Sequence, residues 1–173
     1  MSAGGAAAAG VAPVLADSLY YEDVDLSAEY VTRGHTVTEE DVATFSRITH
    51  DHHPLHTDDA FARSMGFSGR IAHGLYGLSL LEGLKAEFGL YTTTSVASLG
   101  WDEVRFRAPI HPGDTLRTRV TFVGKRPSRR PGRGVVTEYV ELLNQRDEAV
   151  ITARHATLLV MRDGPTTAGG DAA

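Results

Sequence analysis

The chain has 173 residues, 42% of them hydrophobic, a formal net charge of −5 and no cysteine. That length carries one domain with a real core and is short for two, and the acidic balance supplies no overall basic field for nucleic acid. The absence of thiols excludes disulfides, cysteine nucleophiles and thiolate metal sites, and no uninterrupted apolar run approaches the roughly 20 residues of a membrane helix, so the expectation is a cytoplasmic protein with neither nucleic acid nor membrane as partner.

In chain order, residues 1–19 lack a basic n-region and are broken by Pro13, which predicts a disordered tail rather than a signal peptide. Residues 20–162 are expected to form the domain and residues 163–173, which include Gly164-Pro165-Thr166-Thr167, a second tail. A first strand is expected near Tyr30 to Val37. A helix follows from Val37, with Thr38 as N-cap, Glu39, Glu40 and Asp41 in its first turn, and an apolar stripe of Val42, Phe45 and Ile48. Thr57 is expected to cap a short helix through Phe61 and Met65, which Gly66-Phe67-Ser68-Gly69 breaks.

From Gly74 to Phe88, Leu75, Leu78, Leu81, Leu84 and Phe88 recur at spacings of three and four, which predicts a long, largely buried helix. Gly74, Gly77, Ser79 and Gly83 lower its propensity, so another element must pack close to its backbone. The remainder reads as strands over Val96 to Phe106, Thr115 to Val123, Val135 to Leu143 and Ala149 to Met161, joined by Pro112-Gly113-Asp114, Pro131-Gly132 and Asn144 to Glu148. The expected class is α+β, an antiparallel sheet of about five strands around one central helix.

The chemistry concentrates in Thr49-His50-Asp51-His52-His53-Pro54-Leu55-His56, where a carboxylate and an imidazole five positions apart flank a rigid proline turn. Downstream, Arg70-Ile71-Ala72-His73-Gly74 places a glycine amide at the start of the long helix, where backbone N–H groups hold developing negative charge. Base, proton carrier and anion site together outweigh the bland alternative of turn-capping residues. His73 reads as a core histidine that donates one ring nitrogen to a backbone carbonyl and shapes the turn around Gly74. The tract His50, Asp51, His52, His53 and His56 also contains ordinary metal ligands, but the proline turn removes a helical pair from His52 and His56, and no metal is expected. Lys125, Arg126, Arg129, Arg130 and Arg133 form a basic loop that is either solvated surface or a handle for phosphate.

Asp51-His52-His53-Pro54-Leu55-His56 followed by Arg70-Ile71-Ala72-His73-Gly74 resembles the signature of MaoC-like dehydratases, the (R)-specific enoyl-CoA hydratases. The resemblance extends over roughly Tyr20 to Met161 and includes Thr36-Val37-Thr38-Glu39-Glu40-Asp41-Val42 and Pro109-Ile110-His111-Pro112-Gly113-Asp114-Thr115-Leu116. It implies a hotdog fold, a homodimer with a continuous sheet, and a site in which Asp51 and His56 hold the attacking water while the Gly74 amide binds the thioester oxygen. His53, Pro54, His73, Arg129 and Arg130 are expected on the substrate. The substrate is expected to be an acyl-CoA or acyl carrier protein thioester, with no cofactor beyond the coenzyme A or phosphopantetheine of the substrate itself. The chain departs from the family at His50, where glycine is usual, and at His53, where asparagine is common. Two other functions fit the same fold: a thioesterase using Glu82 of the central helix, and a non-catalytic acyl-thioester-binding subunit.

Overall fold

The computed structural model describes residues 17–163. The expected tails fall almost entirely outside these residues, although Ser18 and Leu19 already hydrogen-bond to Thr93 and Leu90. Ten elements follow in order: β1 (Glu29–Val31), β2 (His35–Thr36), α1 (Glu39–Thr49), α2 (Pro54–Thr57), α3 (Asp59–Ser64), α4 (Gly74–Phe88), β3 (Ser95–Phe106), β4 (Thr115–Pro127), β5 (Arg133–Leu143) and β6 (Ala149–Val160). The main path of the sheet runs β1-β4-β5-β6-β3, with β2 also on β4 and every pair antiparallel. This is the α+β hotdog arrangement, with six strands rather than about five. The expected first strand is two short ones, because the chain leaves the sheet at Thr32 to Gly34 and Thr32 Oγ1 takes the Thr118 amide at 2.9 Å.

Inward residues of β4, β5 and β6 alternate as period two requires: Leu116, Val120 and Phe122, then Val136, Val140 and Leu142, then Ile151, Ala153 and Leu159, all buried. α4 lies on this face through Leu81, Leu84 and Phe88. A methyl group on Gly77 would sit 2.6 Å from Ile151 Cδ1 and 2.7 Å from Ile110 Cδ1, so this glycine is what lets the sheet close on the helix. Gly83 faces open space, and Leu75, expected in the buried stripe, is 62% exposed. That face of α4 has no neighbour among the described residues.

α1 starts as expected. Thr38 and Asp41 form a reciprocal capping box, with Asp41 N–H on Thr38 Oγ1 at 3.0 Å and Thr38 N–H on Asp41 Oδ2 at 2.7 Å. Its stripe is shorter than the periodicity predicts: Val42 is buried, Ser46 takes the next inward place and Ile48 points outward. α3 is capped by Asp58, whose carboxylate accepts from the Ala60 and Phe61 amides, and not by Thr57, which ends α2.

Candidate active site

His50 closes α1 in the left-handed conformation, φ 60° and ψ 15°. This turn aims the next residue, Asp51, away from the helix axis, and a residue there needs positive φ, which is the physical use of a glycine at that point. His50 adopts it at a cost of about 1 kcal/mol. The Asp51 carboxylate then accepts the His53 amide at 3.2 Å, and that bond, ahead of the surrounding histidines, holds its pKa below the usual carboxylate value. Asp51 is ionised at neutral pH.

Pro54 begins the single-turn helix α2, and His53 caps it by accepting the Leu55 amide on Nδ1 at 3.2 Å. The turn lifts His56 against the segment before α4. His56 Nδ1 donates to the Ile71 carbonyl at 2.8 Å while the Ile71 amide donates to Leu55 O at 3.1 Å, so α2 and this segment clamp each other in both directions. With Nδ1–H committed, Nε2 carries the ring's lone pair. Burial lowers the His56 pKa and outweighs the opposite pull of the Ile71 carbonyl, with His73 acting in the same direction as burial.

His73 is 3% exposed and donates Nε2–H to the Asp51 carbonyl at 3.0 Å. The residue N-terminal to α4 thereby fixes the backbone of the residue after α1. Its ring stacks on His56 with centroids 3.7 Å apart and planes at 29°. Gly74 opens α4, and at a helix's first position its N–H has no intrahelical acceptor. A methyl group there would lie 2.7 Å from the Phe106 ring, so the glycine also admits the aromatic wall.

Asp51, His56 and His73 each bring one polar atom within 4.8 Å of the other two. The trio does not fit a metal ion. Imidazole lone pairs lie in the ring plane, and two face-to-face rings direct them side by side instead of toward one point. The gap between the Asp51 carboxylate and His56 instead suits a water molecule that hydrogen-bonds both. Beside it lies a cleft of about 470 Å³ walled by Phe67, Ile71, Leu75, Phe106, Ile110 and Ile151, with His56, Arg107 and the Gly74 backbone as polar points.

The structure thus gathers Asp51, His53, Pro54, His56, His73 and Gly74, contributed by two stretches of chain. Arg129 and Arg130 are not among them. They lie in the turn between β4 and β5, whose end pairs Arg133 with Val160, whereas the cleft is at the end that pairs Leu142 with Ile151. Nine strand residues, roughly 30 Å, separate the two ends. Lys125 is committed elsewhere, donating to the Tyr21, Glu22 and Val24 carbonyls. The cation at the cleft is Arg107, which the sequence reading passed over because a lone arginine after a strand carries no pattern. Glu82 lies eight residues along α4 from Gly74, about 12 Å of helix, and pairs with Lys85.

Comparison with known proteins agrees with this arrangement. The family profile described as MaoC like domain matches residues 25–143. Protein MaoC of Klebsiella aerogenes is 31% identical over 102 residues, 59% of this chain and 30% of that protein, so the chain spans about a third of that relative. The 3-hydroxybutyryl-CoA dehydratase of Methylorubrum extorquens is 32% identical over 115 residues, 66% of this chain and 71% of that one. Among solved structures, the MaoC-like dehydratase of Rhodospirillum rubrum superposes with a TM-score of 0.76 at 28% identity, covering 84% of this chain and 99% of that one. Sheet topology and the matched span converge, and the chain belongs to the MaoC-like dehydratase domain family.

Proposed function

We propose that this protein adds water across the C2–C3 double bond of a 2-enoyl thioester and, in reverse, dehydrates a 3-hydroxyacyl thioester. The observation that carries the reading is the meeting of Asp51 and His56 beside an apolar cleft whose wall includes His56 and Gly74. The thioester carbonyl accepts the Gly74 N–H at the positive end of α4. A water held by Asp51 and His56 gives one proton to His56 Nε2 as its oxygen bonds to C3. The π electrons move onto the carbonyl oxygen as an enolate, which the helix terminus stabilises more than it stabilises the neutral substrate. Collapse of the enolate takes a proton at C2 from the same acid/base pair, leaving the enzyme unchanged. General acid–base catalysis of this kind contributes roughly 10²–10⁴-fold. The product is assigned the (R) configuration by resemblance to the family.

Coenzyme A or phosphopantetheine enters as part of the substrate, and Arg107 is the cation placed to meet it. A contact from Arg129 and Arg130 has to come from a second protomer, since an antiparallel pairing of two β3 edges brings the far end of one sheet toward the cleft of the other. The exposed twelve-residue β3, with Val96, Leu99 and Phe106, supports such a homodimer. Glu82, paired with Lys85 and remote from the Gly74 amide, argues against the thioesterase reading.

Wild-type protein incubated with a short panel of 2-enoyl-CoAs tests the reading. Loss of the conjugated enoyl absorbance, a chiral (R)-3-hydroxyacyl product and no thiol release are expected. Thiol release without hydration would reassign the protein to hydrolysis, and binding without turnover would make it a carrier or sensor.

A further inference from the structure

The inner face of the sheet carries ionisable side chains at one place. Glu138 of β5 and its cross-strand neighbour His155 of β6 occupy core positions at 0% and 2% exposure, opposite Lys85 of α4 at 2%. Lys85 Nζ lies 2.8 Å from Glu138 Oε2 and 2.9 Å from His155 Nδ1, and the Tyr91 hydroxyl donates to Glu138 Oε1 at 2.6 Å. His155 Nε2 meets Ser98 Oγ at 2.7 Å, and Trp101 stacks on the imidazole at 4.1 Å. The hydration chemistry uses none of these groups. Apolar residues of similar volume would stabilise the core at least as well, so the cluster calls for a role other than stability.

The cluster borders a second cavity of about 360 Å³. Both cavities are bounded by the same three elements. The first is lined by the start of α4, Ile151 of β6 and Phe106 of β3, and the second by Glu82 and Lys85, by His155 and Thr157, and by Ser95 and Ser98. Ile151, Ala153 and His155 point to one face of β6, so the cavities follow one another along the sheet, with Ala153 of β6, Trp101 of β3 and Leu78 of α4 between them. Four strand residues, about 13 Å, separate their walls. Glu82 Oε2 turns toward the cluster, 2.9 Å from Lys85 Nζ and 3.9 Å from His155 Nδ1.

Resting on the hydratase reading of the Gly74 cleft, we propose that the second cavity receives the far end of the acyl group and selects chains that end in an uncharged hydrogen-bond donor such as a hydroxyl. Glu82 Oε2 lies 2.9 Å from Lys85 Nζ without an aligned hydrogen bond, and its side chain is 41% exposed, an acceptor with room for a second donor. A terminal hydroxyl supplies that donor and accepts in turn from the serine and threonine hydroxyls of the wall. A terminal carboxylate meets two carboxylates against one ammonium. A terminal methyl strips water from charged groups and replaces nothing. The order Ser98, His155, Glu138 also traces a hydroxyl–imidazole–carboxylate chain, but serine attack would make His155 cationic with the Lys85 ammonium 2.9 Å from Nδ1, which opposes nucleophilic use.

The test compares kcat/KM for three 2-enoyl-CoAs of equal length, about eight carbons, ending in methyl, hydroxyl or carboxylate, with crotonyl-CoA as a substrate too short to reach the cavity. The hydroxyl-ended substrate is expected to lead by roughly tenfold or more, mainly through KM because the contact is remote from the reacting carbons. Glu82→Leu should abolish that lead, and Glu82→Gln, which keeps a carbonyl acceptor, should retain most of it. An equal or better methyl- or carboxylate-ended substrate, or a lead unchanged in Glu82→Leu, overturns the assignment while crotonyl-CoA hydration stands. No hydration even of crotonyl-CoA overturns the hydratase reading and this proposal with it. Thiol release abolished by Ser98→Ala overturns the binding role in favour of a nucleophilic one.

Discussion

At the scale of single residues, the site rests on protons already committed. His56 spends Nδ1–H on Ile71 and His73 spends Nε2–H on Asp51, which leaves one imidazole nitrogen and one carboxylate to face water. Burial lowers the His56 pKa, so the base is neutral above that value and protonated, hence inactive, below it. kcat/KM is therefore expected to be flat through neutrality and to fall with a limb below pH 6.5, which a pH–rate profile reads directly; a limb above 6.5 would contradict a buried, neutral base. His50 holds a left-handed C-cap that costs an L-residue energy, so His50→Gly should stabilise the fold by up to about 1 kcal/mol in a denaturant titration. The departure from glycine is visible in the chain, but its backbone consequence is not, because φ at one residue is set by where the next segment must go.

Among elements, α4 organises both function and packing. Its cap presents the Gly74 amide, and Gly77 lets Ile110 and Ile151, two walls of the cleft, reach the helix backbone. Gly77→Ala should destabilise the protein by roughly 1–3 kcal/mol, measured by chemical denaturation, because its methyl group has to displace both isoleucines. Period-3.6 and period-2 patterns placed α4 and the four long strands within a few residues, since burial on one face imposes them locally. The Lys85, Glu138 and His155 cluster escaped the same reasoning: its members are 53 and 70 positions apart from Lys85, and no local pattern brings them together. Arg129 and Arg130 present the opposite case, a conspicuous charge run whose distance from the cleft within one protomer depends on strand register.

For the whole molecule, the unpaired length of β3 and the bare face of α4 point to the same missing partner. Val96, Leu99, Phe106 and Leu75 are exposed together along that edge. No helix among the described residues is long and apolar enough to cross a membrane. Leu99→Lys should move the protein from dimer to monomer in sedimentation velocity and weaken turnover with it; an unchanged mass would place the interface elsewhere. The measurement that bears most directly on the hydratase reading is turnover of a short 2-enoyl-CoA by Asp51→Asn, which preserves size and removes charge. A loss of roughly 10²-fold or more, with fold and assembly intact, is predicted. Near wild-type turnover would contradict the role given to the Asp51–His56 pair.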